Sequence, residues 1–87
     1  MSQIVVIEDN VQNARMASKL LRHAGHEVIV AEDGESGLTT AFENDPDLIL
    51  IDLGLPDLDG QTVVALLRQQ PTMQGTPIIA FTAWPEG

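Results

Sequence analysis

Three acidic positions and one hydroxyl stand where chemistry could be done: the pair Glu8-Asp9, Asp52 and Thr82. Each follows directly on an apolar run, namely Ile4-Val5-Val6-Ile7, Leu48-Ile49-Leu50-Ile51 and Pro77-Ile78-Ile79-Ala80-Phe81. Carboxylates brought within a few ångström of one another cannot all stay ionised unless pKa values rise or a cation joins them. An all-oxygen set with neither sulfur nor imidazole beside it selects a hard ion such as Mg²⁺. An ion held by Asp9 and Asp52, with Glu8 reaching it through water, keeps coordination positions open for a phosphoryl oxygen. An Asp carboxylate can then attack phosphorus and form an acyl phosphate. Thr82 could donate a hydrogen bond to the new phosphoryl oxygen. Singly, none of these residues says much. An Asp at the end of a strand is ordinarily a turn former or helix cap, and Thr is an ordinary strand residue. The chemistry requires a fold that gathers all of them at one edge.

The apolar pattern supplies such a fold. The run Ile4–Ile7 does not alternate with polar residues, which suits a strand covered on both faces. Asn10 then reads as a helix N-cap, Ala14, Ala17, Leu20, Leu21 and Ala24 recur at helical spacing, and Gly25 stops the helix. Val28-Ile29-Val30 is a second strand. Asp33-Gly34 turns the chain into a helix carrying Leu38, Ala41 and Phe42, which Asn44-Asp45-Pro46 breaks. Leu48–Ile51 is the third strand, ending at Asp52. The loop Leu55-Pro56-Asp57-Leu58-Asp59-Gly60 leads to a helix with Val63, Val64, Leu66 and Leu67, and Pro77–Phe81 is the fourth strand. Strands alternating with helices build an α/β parallel sheet with right-handed crossovers. Ligands of such sheets sit beyond the carboxyl ends of the strands, where strand order reverses. Glu8, Asp9, Asp52 and Thr82 all fall at those ends.

Composition narrows the function classes. In 87 residues, 4 Lys and Arg stand against 13 Asp and Glu, a net charge of −9. A polyanion repels such a chain, so direct contact with nucleic acid or an anionic membrane is not expected. A divalent cation or a basic partner suits it better. The 44% of apolar residues argues against disorder. Without cysteine there is neither a disulfide nor a thiolate zinc site. No apolar stretch approaches the roughly 20 residues of a membrane span, and the first residues do not read as a signal peptide. A cytoplasmic setting is the expectation.

With these motifs the chain resembles the response-regulator receiver domains of two-component signalling. Ile4-Val5-Val6-Ile7-Glu8-Asp9-Asn10 is similar to that family's opening strand and acidic pair. Leu48-Ile49-Leu50-Ile51-Asp52-Leu53-Gly54-Leu55-Pro56 is similar to its phosphoacceptor strand and loop, and Ile78-Ile79-Ala80-Phe81-Thr82-Ala83 to its fourth strand with the switch hydroxyl. The resemblance covers residues 1–87 as one domain. It implies a flavodoxin-like doubly wound sheet with strand order 2-1-3-4. It also implies that Asp52 takes a phosphoryl group from a phosphohistidine on a sensor histidine kinase or histidine phosphotransfer protein. Mg²⁺ would be held by Asp9, Asp52 and the backbone carbonyl of Gly54, with Glu8 in the outer shell. Thr82 would couple the phosphoryl group to the signalling face, Ala83 would leave room for it, and Gly54 and Trp84 would tune hydrolysis. The domain would be a signalling module and not an enzyme acting on an external substrate.

The family pattern continues with a further helix, a fifth strand bearing a Lys, and a last helix, whereas this sequence stops at Gly87. The expectation is therefore a truncated receiver with weaker phosphorylation or coupling. Its uncovered fourth strand or sheet face would favour self-association. The rival reading is a phosphate-independent oligomerisation or docking module derived from a receiver. A flavin binder of the same fold would want a Ser/Thr/Gly phosphate loop where Glu8-Asp9-Asn10 stands. Other features take plainer readings. His23 and His26 flank a helix end, Asp57-Leu58-Asp59-Gly60 is loop and cap, and Asp33, Glu35, Glu43 and Asp45 form a solvated face. Met16 is expected in the core, Met73 in a polar loop, and the four Lys and Arg away from the acidic pocket.

Overall fold

The computed structural model describes residues 2–81. Strands β1 (Gln3–Ile7), β2 (Glu27–Ala31), β3 (Leu48–Asp52) and β4 (Ile78–Phe81) form one parallel sheet in the order β2-β1-β3-β4. Helices α1 (Val11–His23), α2 (Gly34–Asn44) and α3 (Gly60–Gln69) alternate with them, and a 3-10 turn at Pro71–Met73 precedes β4. The alternating pattern predicts the parallel α/β sheet, and the order is the flavodoxin-like doubly wound one that the family resemblance implies. Expectations placed on Thr82, Ala83 and Trp84 lie outside the described residues.

Each helix begins with a side-chain cap just past a strand's carboxyl end. Asn10 accepts from the Asn13 N–H, Asp33 from that of Ser36 and Asp59 from that of Gln61. Such caps satisfy amide groups that have no partner within the helix. After α1 the chain turns at Gly25 with φ +96°, and α2 ends on Asp45 at φ 51°.

The central strand explains why its sequence does not alternate. Val5 and Ile7 point to one face and pack with Ile49, Ile51, Ala41, Val63 and Leu67 beneath α2 and α3. Ile4 and Val6 point to the other and pack with Val28, Ala17 and Leu21 beneath α1. Both faces are buried, so both sets must be apolar.

Two methionine expectations are corrected by this packing. Met16 is 64% exposed. Ala14 and Ser18 face the sheet, and Met16, two residues from each, is carried to the far side of the helix. Met73 is fully buried in the core. The 3-10 turn aims it inward, and Arg68 holds that turn by donating to the carbonyls of Met73 (2.9 Å), Gln74 (3.3 Å) and Thr76 (2.7 Å). Arg68 is thus away from the acidic edge, as its helical phase predicts. The same expectation is corrected for the other three basic residues: α1 starts just after Asp9, and its Arg15, Lys19 and Arg22 line one cavity with Glu8 and Asp9. Among the described residues no helix is long and apolar enough to cross a membrane.

Candidate functional site

At the carboxyl edge, β1 delivers Glu8 and Asp9 and its neighbour β3 delivers Asp52. The three side chains each offer a carboxylate oxygen within 4.8 Å of the others. Glu8 and Asp52 are almost wholly buried, with 2% and 1% of their surface exposed, while Asp9 lies open. The pocket is therefore a buried acidic floor with one exposed carboxylate at its mouth.

The hydrogen bonds leave this floor short of donors. Oε2 of Glu8 accepts from the Asn10 N–H at 3.1 Å, but Oε1 is buried without a partner. Oδ1 of Asp52 accepts from the Gly54 N–H at 2.9 Å. Burial pushes the Glu8 carboxyl up to about 7 against the Asn10 hydrogen bond, with the neighbouring Asp52 and Asp9 raising it further. A protonated Glu8 can donate to Asp52, which gives the stranded oxygen its partner. A hard cation would serve the same need by supplying positive charge to all three oxygens. The donor chemistry thus fits a divalent metal ion of the Mg²⁺ type.

The loop after β3 is built tightly around Asp52. A Cβ on Gly60 would lie 2.5 Å from Leu53 Cα and 2.9 Å from the Asp52 carbonyl oxygen, so only glycine lets α3 start so close to the strand end. The Gly60 N–H donates to the Leu53 carbonyl at 3.2 Å. Gly54 itself is exposed beside the Asp52 carboxylate.

A family model of the response regulator receiver domain matches residues 4–86. The chain belongs to that family. Among curated relatives, the response regulator ArlR of Staphylococcus saprophyticus is 40% identical over 83 residues. The polar-differentiation response regulator DivK of Brucella ovis is 35% identical over 81. The alignments take in 95% and 93% of this chain, but they span only 36% of ArlR and 66% of DivK. The solved chemotaxis response regulator CheY4 of Vibrio cholerae matches 92% of the chain and 67% of its own, with 31% identity and a TM-score of 0.90. TrrA of Thermotoga maritima, solved in complex with Mg²⁺ and BeF, matches 97% of the chain and 71% of its own, with 28% identity and a TM-score of 0.89.

Within this receiver, the expected residues Glu8, Asp9 and Asp52 do converge, and Gly54 adjoins them through its N–H. Two features escaped the sequence reading. The depth of Glu8 follows from tertiary packing and leaves no trace in the letters Glu-Asp. Asp57, read as a loop residue, accepts from the Gly34 N–H at 2.8 Å and the Glu35 N–H at 3.0 Å, far away in sequence. The only available hint was an acidic residue in a loop expected at the same edge as the start of α2.

Proposed function

We propose that this receiver is a phosphoacceptor in which Asp52 takes the phosphoryl group from a phosphohistidine on a histidine kinase or phosphotransfer protein. The observation that carries this reading is the buried acidic floor, with Glu8 Oε1 lacking a donor beside Asp52 and Asp9. Asp9, Asp52 and the Gly54 carbonyl would hold Mg²⁺, with Glu8 in the outer shell; the relative TrrA, solved with Mg²⁺, supports the ion's identity. When bound, the ion offsets the carboxylate charge and that of the phosphoryl oxygens.

The chain's own groups do the rest. The Gly54 N–H holds Oδ1 of Asp52, which leaves Oδ2 free as the nucleophile. As the Oδ2–P bond forms, the P–N bond to the donor imidazole breaks and its electron pair returns to nitrogen. The buried setting limits water at the Asp52 side of the resulting acyl phosphate. Thr82 takes the role of switch hydroxyl, by family resemblance. The cytoplasm is the setting that suits this chemistry. Incubation with a small acyl-phosphate donor and Mg²⁺ should add one phosphoryl group, read by intact mass. The adduct should be absent for Asp52→Ala and without Mg²⁺. No adduct on the unaltered chain would overturn the reading.

A second, phosphate-independent role is favoured by a separate observation. Arg15, Lys19 and Arg22 line a cavity with Glu8, Asp9, Val30 and Glu32, whereas Leu20 of α1 does not line it. Leu20 is 67% exposed, and Ile79 of β4, paired in register with Leu50, is 54% exposed. On this face α1 packs mainly against β2 and β1, and among the described residues no helix packs substantially on β4. A second copy of the chain would bury this apolar strip or pair with the β4 edge. Sedimentation velocity should then show association rising with concentration. Leu20→Glu combined with Ile79→Glu should weaken it about tenfold or more. A strictly monomeric protein across the range would exclude this role.

A further inference from the structure

The loop that carries Gly54 is fastened at its far end to a different helix. Asp57 spreads its two carboxylate oxygens over the first two amides of α2, Gly34 and Glu35. Asp33 takes the Ser36 N–H at 2.7 Å, and the Gly37 N–H closes onto the Asp33 carbonyl. The four amides at the start of α2 are therefore all satisfied, two of them by a residue of another loop. These two bonds hold the Asp57 carboxyl below its ordinary value, as expected of an anion at a helix N-terminus.

Packing makes the same connection. A Cβ on Gly34 would lie 2.9 Å from Leu58 Cβ, so the glycine there admits the loop against the helix start. Leu55 and Leu58 pack on the core beneath it. Between Gly54 and Asp57 lie only Leu55 and Pro56, and the proline ring fixes one of the few free dihedrals of that span. Gly54 is consequently anchored on both sides, to Asp52 through its N–H and to α2 through Asp57.

We infer that Asp57 is a positioning residue for the cation site, fixing the Gly54 carbonyl from the start of α2, so that filling the acidic pocket and ordering that helix terminus are coupled. The inference rests on Gly54 serving as a ligand, as proposed above. Linkage makes the coupling reciprocal: what the clamp adds to Mg²⁺ affinity, bound Mg²⁺ adds to the clamp. A cap with no such role would contribute stability alone, and Asp33, the other cap of the same helix, is the natural control.

The test is calorimetric titration of Mg²⁺ into the unaltered chain, Asp57→Ala, Asp57→Asn and Asp33→Ala, with amide hydrogen exchange at Gly34 and Glu35. Asp57→Ala should weaken Mg²⁺ binding about tenfold, the scale of an outer-shell partner. Asp57→Asn, which keeps one acceptor, should lose less, and it also serves if the alanine variant does not fold. Asp33→Ala should lower Tm yet bind Mg²⁺ within about twofold of the unaltered chain, since it removes a cap and a charge but not the clamp. Saturating Mg²⁺ should slow exchange at Gly34 and Glu35 about tenfold. Unchanged Mg²⁺ affinity in both Asp57 variants, or an equal loss in Asp33→Ala, overturns the inference. If the unaltered chain binds no Mg²⁺, the phosphoacceptor reading falls first and takes this inference with it.

Discussion

Without divalent cations the protein should lose stability as pH rises from about 4.5 to about 7, the reverse of the usual behaviour of paired carboxylates. Glu8 titrates near 4.5 in the unfolded chain and near 7 in the fold. Between those values the native state holds a proton that the unfolded state has released, so raising pH favours unfolding. The contribution is fully present below about 4.5 and lost as pH passes through about 7, an effect on the order of 3 kcal/mol. Chemical denaturation in a chelating buffer at several pH values measures it directly. Burial is the larger cause of the raised value. Asp52→Asn, which removes the charge facing Glu8, should therefore make the profile shallower without abolishing it and raise stability near pH 7 by about 1 kcal/mol. The same variant should lose Mg²⁺ binding. Saturating Mg²⁺ should reverse the loss in the unaltered chain, since ligand at about 100 times Kd adds about 2.7 kcal/mol. A profile flat from pH 4.5 to 7 without metal would mean that Glu8 does not hold its proton. In more acidic solution the sign changes. The lowered pKa of Asp57 stabilises the fold above its ordinary 3.8, and this is lost as pH falls through the depressed value.

Gly60→Ala should be the most damaging alanine substitution among the described glycines. The added carbon meets backbone at Leu53 Cα and at the Asp52 carbonyl, neither of which can rotate away as a side chain would. Either α3 retreats or the end of β3 bends. The expected loss is about 3 kcal/mol or somewhat more, at the upper end for overpacking. Because the displaced carbonyl belongs to Asp52, Mg²⁺ affinity and phosphoryl incorporation should fall together with stability. Gly75→Ala offers the contrast, since a Cβ there meets nothing within 4 Å. Its Tm should stay within a few degrees of the unaltered protein. Equal behaviour of the two variants would show that the start of α3 is looser than its contacts indicate.

The legible part of this molecule is what one period or one local bond decides. Unalternating Ile4–Ile7 and Leu48–Ile51 announce strands covered on both faces, and alternation of strand and helix fixes their parallel sense. Asn10 and the Asp33-Gly34 start can be read because a capping bond closes within three residues. Strand order, convergence of Glu8, Asp9 and Asp52, and the placement of Gly54 followed from the same edge rule and the family motifs. Less legible were the partners set by distance in space. Met73 follows a short polar stretch, and only the turn held by Arg68 buries it. Met16 and Leu20 share the hydropathy of Leu21, but α1 covers only part of the sheet. The Asp57 clamp joins positions 22 and 23 apart, which no local pattern encodes.

The order β2-β1-β3-β4 has a consequence for the history of each molecule. Of the four described strands β1 comes first in sequence and takes partners on both sides. Residues 3–31 already contain a complete strand-helix-strand unit, and from β3 onward every new strand docks on the side away from β2. Nothing already paired must open to admit a later arrival. The sheet can thus grow vectorially as the chain leaves the ribosome, each segment finding a template that precedes it. The acidic pocket cannot exist until β3 lands and brings Asp52 beside Glu8. Like-charge repulsion is met only at that step, after the first unit has formed. Protection from hydrogen exchange should accordingly be deepest in β1 and shallowest in β4, an internal record of the order in which the strands arrived.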